Sequence, residues 1–244
     1  MKLISIKASA LLILSLFIVS CEKTSICTKG EGVITAKSLP IGTFSGVLLT
    51  EACDVIISQG DVQGVIAIGH PNIIERIKTD VKSNNWKIDF VGGCYKDYEL
   101  TLYITVPNIN YVTLSGSGDI LINNFTNQGN LSLNISGSGE INLNEFDGAE
   151  NLGVTISGSG DINANKAFSD LIKTDINISG SGTFDAFPIE TNECIIDISG
   201  SGRAYISVVE KLDVNISGSG SVFYKGRPIV TSIISGSGNV INSN

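Results

Sequence analysis

The stretch Asn134-Ile135-Ser136-Gly137-Ser138-Gly139-Glu140-Ile141-Asn142-Leu143 reads as two short strands joined by a bend. Ile135 on one side, and Ile141 and Leu143 on the other, alternate with Asn134, Glu140 and Asn142. A period of two puts the apolar set on one face and the polar set on the other. Glycine admits backbone angles closed to other residues, and stacked serines can share hydroxyl hydrogen bonds, so Ser-Gly-Ser-Gly suits the bend.

The phrase recurs from Ser115, Ser136, Ser157, Ser179, Ser199, Ser217 and Ser235, at spacings of 21, 21, 22, 20, 18 and 18 residues. A short fixed period marks a solenoid, and it is too short for propeller blades or paired-helix repeats. Leucine-rich repeats have this length, but their spaced leucines and asparagine are absent. The flanking pattern repeats too. Val112/Leu114, Leu133/Ile135, Val154/Ile156, Ile176/Ile178, Ile196/Ile198 and Val214/Ile216 precede the phrase, and Ile120/Ile122, Ile141/Leu143, Ile162/Ala164, Phe184/Ala186, Ala204/Ile206 and Val222/Tyr224 follow it. Stacked in parallel, such units place like residues in columns about 4.8 Å apart. The expected fold is all-β, a parallel β-helix, right-handed by the preference of parallel crossovers.

The 244 residues hold 27 glycines and 5 prolines, and the seven phrases take 14 of those glycines. The remainder is too apolar for disorder and too poor in proline for collagen. A formal charge of −8 disfavours a nucleic-acid partner, and one histidine leaves little for zinc or acid–base chemistry. No Walker phrase, nucleotide-binding glycine motif or Cys-x-x-Cys pair occurs.

Residues 1–20 carry Lys2 and Lys7 and then an apolar run, Ala8 to Val19, too short to cross a bilayer comfortably. The run ends Ile18-Val19-Ser20-Cys21, which resembles the lipobox of bacterial lipoproteins. That resemblance implies cleavage before Cys21, a diacylglyceryl thioether on its sulfur and an acylated amino group, and so a membrane partner through the lipid anchor. Loss of residues 1–20 takes the formal charge from −8 to −10, and residues 111–244 carry 14 acidic against 6 basic side chains. Residues 21–31 read as a tether. Of the other cysteines, Cys53 and Cys94 share one region and are the expected disulfide. Cys27, in the tether, is expected free, and Cys194 shares the parity of Ile196 and Ile198 and is expected buried.

The repeats, together with Gly139-Glu140-Ile141-Asn142, Gly160-Asp161-Ile162-Asn163 and the lead-in Tyr103-Ile104-Thr105-Val106-Pro107-Asn108-Ile109, resemble the domain of unknown function called the putative auto-transporter adhesin, head GIN domain. The resemblance runs from about Phe44 to the C-terminus. It implies a β-helix-like fold in bacterial envelope lipoproteins and carries no catalytic residues to transfer.

Residues 32–110 read as strands over Val33 to Ala36, Val47 to Thr50, Asp54 to Ser58, Val65 to Ile68, Lys87 to Val91 and Leu100 to Val106. Asn72 to Val81 is compatible with a short helix or a strand. This part is expected to cap the repeat region, residues 111–244. At the far edge, either the polar Asn242, Ser243 and Asn244 blunt the last coil or a second molecule pairs with it, giving a homo-oligomer.

Asp119, Glu140 and Asp161 each follow a Ser-Gly-Ser-Gly and would form an acidic column. Like charges at strand spacing repel, and a hard cation such as Ca²⁺ would relieve that; solvent screening does so as well. Asp161 and Arg203 are the pair an enzyme acting on polysaccharide would draw on, although the connections are too short to wall a cleft. His70 in His70-Pro71-Asn72 suits a turn. Trp86, Ile88 and Phe90 alternate as core residues do, and Tyr95, Tyr98 and Tyr103 suit glycan contact or packing. The functional expectation is a non-catalytic lipoprotein of the cell envelope, at the outer membrane, using its serine and asparagine columns for adhesion to a glycan or a host or cell-surface protein. The alternatives are an envelope-maintenance scaffold and a carbohydrate-active β-helix enzyme.

Overall fold

The computed structural model describes residues 27–168 and 171–244. The signal-like run and Cys21 lie outside the described residues. The chain winds as an all-β solenoid with two long parallel ladders.

The first ladder joins the strands that precede each bend. Its order is Asn85–Ile88, Gly46–Leu49, Tyr111–Leu114, Leu131–Ile135, Asn151–Ile156, Lys173–Ile178, the second halves of Thr183–Gly200 and Arg203–Gly218, and then Ile229–Gly236. The second ladder joins the strands that follow each bend. It runs Leu100–Val106, Asp54–Gln59, Asp119–Ile122, Glu140–Leu143, Asp161–Ala164, the first halves of Thr183–Gly200 and Arg203–Gly218, Ser221–Lys225 and Asn239–Asn242. The alternation seen in the sequence becomes inward columns. Val112, Leu133, Val154, Ile176, Ile196 and Val214 lie in register and buried, as do Ile120, Ile141, Ile162, Phe184, Ala204 and Val222. Both faces of such a ladder cannot be apolar, because one meets water, and the column register makes the period-two pattern self-reinforcing.

The third side varies with repeat length. Where the repeat is 21 or 22 residues, the connection drops a phenylalanine inward, and Phe125, Phe146 and Phe168 follow one another at centroid separations of 5.8 and 5.9 Å. Where it shortens to 20 and then 18, Thr183–Gly200 and Arg203–Gly218 each run around the coil as one strand, and the last 18-residue coil turns at Gly226-Arg227-Pro228.

Glycine at the bends answers chiefly to a close approach between coils. A Cβ on Gly137 would overlap the Gly116 carbonyl, one on Gly158 the Gly137 carbonyl, and one on Gly180 the Gly158 carbonyl. Among the seven phrases only Gly200, Gly218 and Gly236 take positive φ. The coils are held there by backbone bonds, Ser201 N–H to Gly180 C=O and Ser219 N–H to Gly200 C=O at 2.9 Å each, while the serine side chains face solvent.

The N-terminal part caps the solenoid, as expected, and also belongs to it. Parallel stacking already includes Gly46–Leu49 and Asp54–Gln59, with Thr50-Glu51-Ala52-Cys53 in the bend position that Ser-Gly-Ser-Gly holds one coil later. The cap consists of antiparallel strands. Gly64–Gly69 pairs with Leu100–Val106, Thr35–Ser38 with Gly64–Gly69, and Val81–Lys82 with Asn85–Ile88. A four-residue helix, Pro71–Ile74, buries Ile73 and Ile74 beside them. The segment Asn72 to Val81 thus holds most of a short helix and the start of a short strand.

The cysteine pairing differs from expectation. Cys94 is bonded to Cys27, with Cα atoms 4.5 Å apart, and Cys53 is reduced and buried. Cys53 is held at a bend inside the stack. Cys94 lies in the loop between Ile88 and Leu100, where Tyr95–Lys96 pairs with Thr28–Lys29 and brings Cys27 alongside. Burial pushes the Cys53 thiol up to about 12, which leaves it unreactive. Cys194 is buried in the column of Leu152, Thr174 and Leu212, as its parity predicts.

Candidate functional site

The first ladder carries an open groove of about 580 Å³ at the end of the strands away from the Ser-Gly-Ser-Gly bends. Its floor is the outward column Asn85, Gly46, Tyr111, Ser132, Gly153 and Asp175, one residue per coil in continuous register. Five strand spacings give it a length of roughly 24 Å. The depth comes from what is missing at Gly153, which contributes no side chain beside Ser132, whereas the space over Gly46 is taken by the Asn85 side chain.

Amides wall the groove. The Asn84 amide donates to Ser45 Oγ at 2.6 Å, and the Ser45 hydroxyl donates to Asn110 Oδ1 at 3.2 Å. Asn130 Oδ1 accepts from both the backbone N–H and the side-chain amide of Asn151, at 3.0 and 3.2 Å. These bonds fix the side chains and leave Asn110 Nδ2, Asn130 Nδ2, Asn84 Oδ1 and Asn151 Oδ1 facing solvent. Tyr111, 39% exposed, supplies the one aromatic face. Asp175 is the only ionised side chain in the lining, and Lys173 Nζ lies 3.0 Å from it. The groove is therefore close to neutral, with paired donors and acceptors set among the apolar surface of Leu131, Leu152 and Tyr111.

Candidates read from the sequence fall elsewhere. Asp119, Glu140 and Asp161 do stack in register on the second ladder. Their oxygens are engaged along the column: Asp119 Oδ1 accepts from Glu140 N–H at 3.1 Å, Asp161 Oδ1 from Thr183 N–H at 2.8 Å, and Glu140 Oε1 from the Asn163 amide. Among the described residues no three acidic, histidine or cysteine side chains converge on a common metal position. Thr183 stands between Asp161 and Arg203, so that pair does not meet. His70 Nδ1 accepts from Glu99 N–H at 3.0 Å and its ring covers Gly30, a structural role. Trp86, Ile88 and Phe90 are core, and Trp86 Nε1 donates to Lys78 C=O. Tyr95 and Tyr98 pack on Phe90, whereas Tyr103 is exposed on the second ladder, away from the groove.

One carboxyl pair is strongly perturbed. Lys78, at 2.8 Å, holds the Asp89 carboxyl down to about 2, and burial raises Glu51, which hydrogen-bonds Asp89. Glu51 sits in the first bend and Asp89 follows Asn85–Ile88, so the pair lies between two coils at the capped end.

The serine columns lie along the bend edge and do not line the groove. Asn84, Asn85, Asn110, Tyr111 and Gly153 were not singled out by sequence. The legible signal was Gly153, a glycine inside the alternating run Asn151 to Ile156, where a strand ordinarily avoids it.

Residues 43–228 match the family model described as putative auto-transporter adhesin, head GIN domain. No curated protein matches the chain in sequence. Among solved structures, a putative adhesin from Bacteroides fragilis superposes with a TM-score of 0.80 at 21% identity, over 88% of this chain and 99% of that one. A putative lipid binding protein from Parabacteroides distasonis gives 0.73 at 20% identity, over 89% and 99%. A putative adhesin from Parabacteroides merdae gives 0.70 at 21%, over 89% and 99%. At these identities the likeness is one of fold.

Proposed function

Since the chain belongs to the putative auto-transporter adhesin, head GIN domain family, we propose that it is a non-catalytic binding protein of the bacterial envelope, anchored by lipid on Cys21 and using its polar solenoid face to hold glycan. The observation that carries this reading is the groove over Tyr111: fixed amides with unspent donors and acceptors beside one exposed aromatic ring. Hydroxyl-rich ligands need that combination, polar groups held in place for orientation and a flat apolar face for the C–H side of a sugar ring.

A glycan array probed with the full mature chain in detergent tests the binding, with retention of at least one oligosaccharide class expected. Labelling with radioactive palmitate, lost in Cys21→Ser, tests the anchor. Protease shaving of intact cells separates an outward-facing adhesin, which is cleaved, from a periplasmic scaffold, which is protected.

The partner proposed for the last strand of the first ladder is a second copy of this chain. Ile229 and Ile233 are 77% and 67% exposed there, and residues 228–244 hold no charged side chain. Two copies of a strongly acidic protein repel least where both are neutral.

A further inference from the structure

We infer that the backbone at Gly153 is kept bare to seat a neutral, linear oligosaccharide along the first ladder, across Tyr111, Ser132 and Gly153; this rests on the glycan reading above and gives it a site and a ligand class. Gly153 is the one glycine inside a strand rather than at its end, among the described residues. Glycine there weakens a strand, through backbone entropy and a lost cross-strand side chain, so its presence calls for a reason.

The reasons that explain the bend glycines are absent at this one, as they are at Gly129, which lies in a connection rather than inside a strand. At the bends an added Cβ would strike the carbonyl of the preceding coil, and at Gly148 and Gly226 the backbone also takes positive φ. At Gly153 the φ is ordinary, and an added Cβ would meet only Ser132 Oγ at 3.9 Å and Leu131 O at 4.0 Å, both comfortable contacts. The protein itself leaves room for a side chain. What a side chain at 153 would fill is the groove, directly between Ser132 and Asp175 in the outward column.

Charge sets the class. The lining holds one carboxylate, Asp175, with Lys173 at 3.0 Å, and the rest is amide, hydroxyl and phenol with the uncharged Leu131, Leu152 and Gly153. No cation in the lining would offset the desolvation of a sulfate, a phosphate or a sialyl carboxylate, and the acidic body repels all three. The groove is open at the surface and crosses several coils, so the ligand lies along it as a chain rather than sinking into a closed cavity. Asn110 and Asn130 offer free N–H groups, and Asn84 and Asn151 free carbonyls, to hydroxyls of either polarity.

The test uses the full mature chain in detergent on a printed panel of lactosamine, chito- and manno-oligosaccharides with sialylated and sulfated counterparts. Gly153→Leu is expected to weaken binding of the neutral oligomers at least tenfold with Tm equal to or above that of the native protein, and Tyr111→Ser to weaken it similarly. If the native chain binds neutral oligomers and Gly153→Leu binds as well, the groove assignment falls while the glycan reading stands. If the native chain prefers sialylated or sulfated members, the ligand class falls. If it binds none of the panel, both the site and the glycan reading fall. A Tm clearly below native for Gly153→Leu would mean that the fold needs the glycine, which overturns the argument.

Discussion

Cys27 is disulfide-bonded to Cys94, closing a separation of 67 residues between the chain just after the proposed anchor and the loop above the first coil. Pull on the anchor thus enters the capped end through a covalent tie and the short pairing of Thr28–Lys29 with Tyr95–Lys96, before it reaches the exposed strand Thr35–Ser38. Cys27→Ser, or reduction, is expected to destabilise the protein by about 2–4 kcal/mol, as removal of a long-range cross-link does. Urea unfolding of oxidised and reduced protein measures it, and an unchanged midpoint would contradict the structural role.

Gly158→Ala tests whether the bends need glycine for contact. Its φ is unexceptional, yet the new methyl would be driven into the Gly137 carbonyl, so a loss of about 1–3 kcal/mol is expected from overpacking. Gly64→Ala is the control: a Cβ there has nothing within 4 Å, and the change should be neutral or slightly stabilising.

Thr174 is fully buried in an inward column between Leu152 and Cys194, and its hydroxyl has no hydrogen-bond partner. Thr174→Val keeps the shape and removes the desolvated oxygen. Thermal unfolding should show a gain of about 1 kcal/mol, and a loss would mean that the hydroxyl is satisfied in solution.

The Glu51–Asp89 pair gives opposite pH dependences. The folded pKa of Asp89 is lowered from 3.8 to about 2, so its contribution is present above about pH 4 and is lost as pH falls toward 2. Glu51 is raised from 4.5, so what it contributes is present below that value and is lost as pH rises through its folded pKa. Asp89→Asn should therefore cost on the order of 1 kcal/mol at pH 7 and flatten the acid limb of a stability profile. Glu51→Gln keeps a donor toward Asp89 without the buried charge and should be neutral or stabilising at pH 7, with any gain vanishing below pH 4.

At the far end, sedimentation of the native chain should show concentration-dependent dimers. Ile233→Lys, which puts charge on the neutral outer face of Ile229–Gly236, should shift it to monomer. A native protein that stays monomeric at high concentration removes the self-pairing proposal.

The period of Ser-Gly-Ser-Gly and the parity of its neighbours were enough to determine the solenoid, because each coil can bury its apolar face only against the next, and a column of like residues is the solution that repeats. The same parity located Cys194, Trp86 and Ile88 in the core. It could not say that stacking starts before the first phrase, since Thr50-Glu51-Ala52-Cys53 makes the same bend with none of its residues. Nor could it pair Cys94 with Cys27, because that contact depends on where a loop between Ile88 and Leu100 lands. The groove lay beyond sequence for the same reason. Asn85, Gly46, Tyr111, Ser132 and Gly153 come from five segments and form one surface only when the coils stack, so local pattern decided the fold and the register of distant coils decided the site.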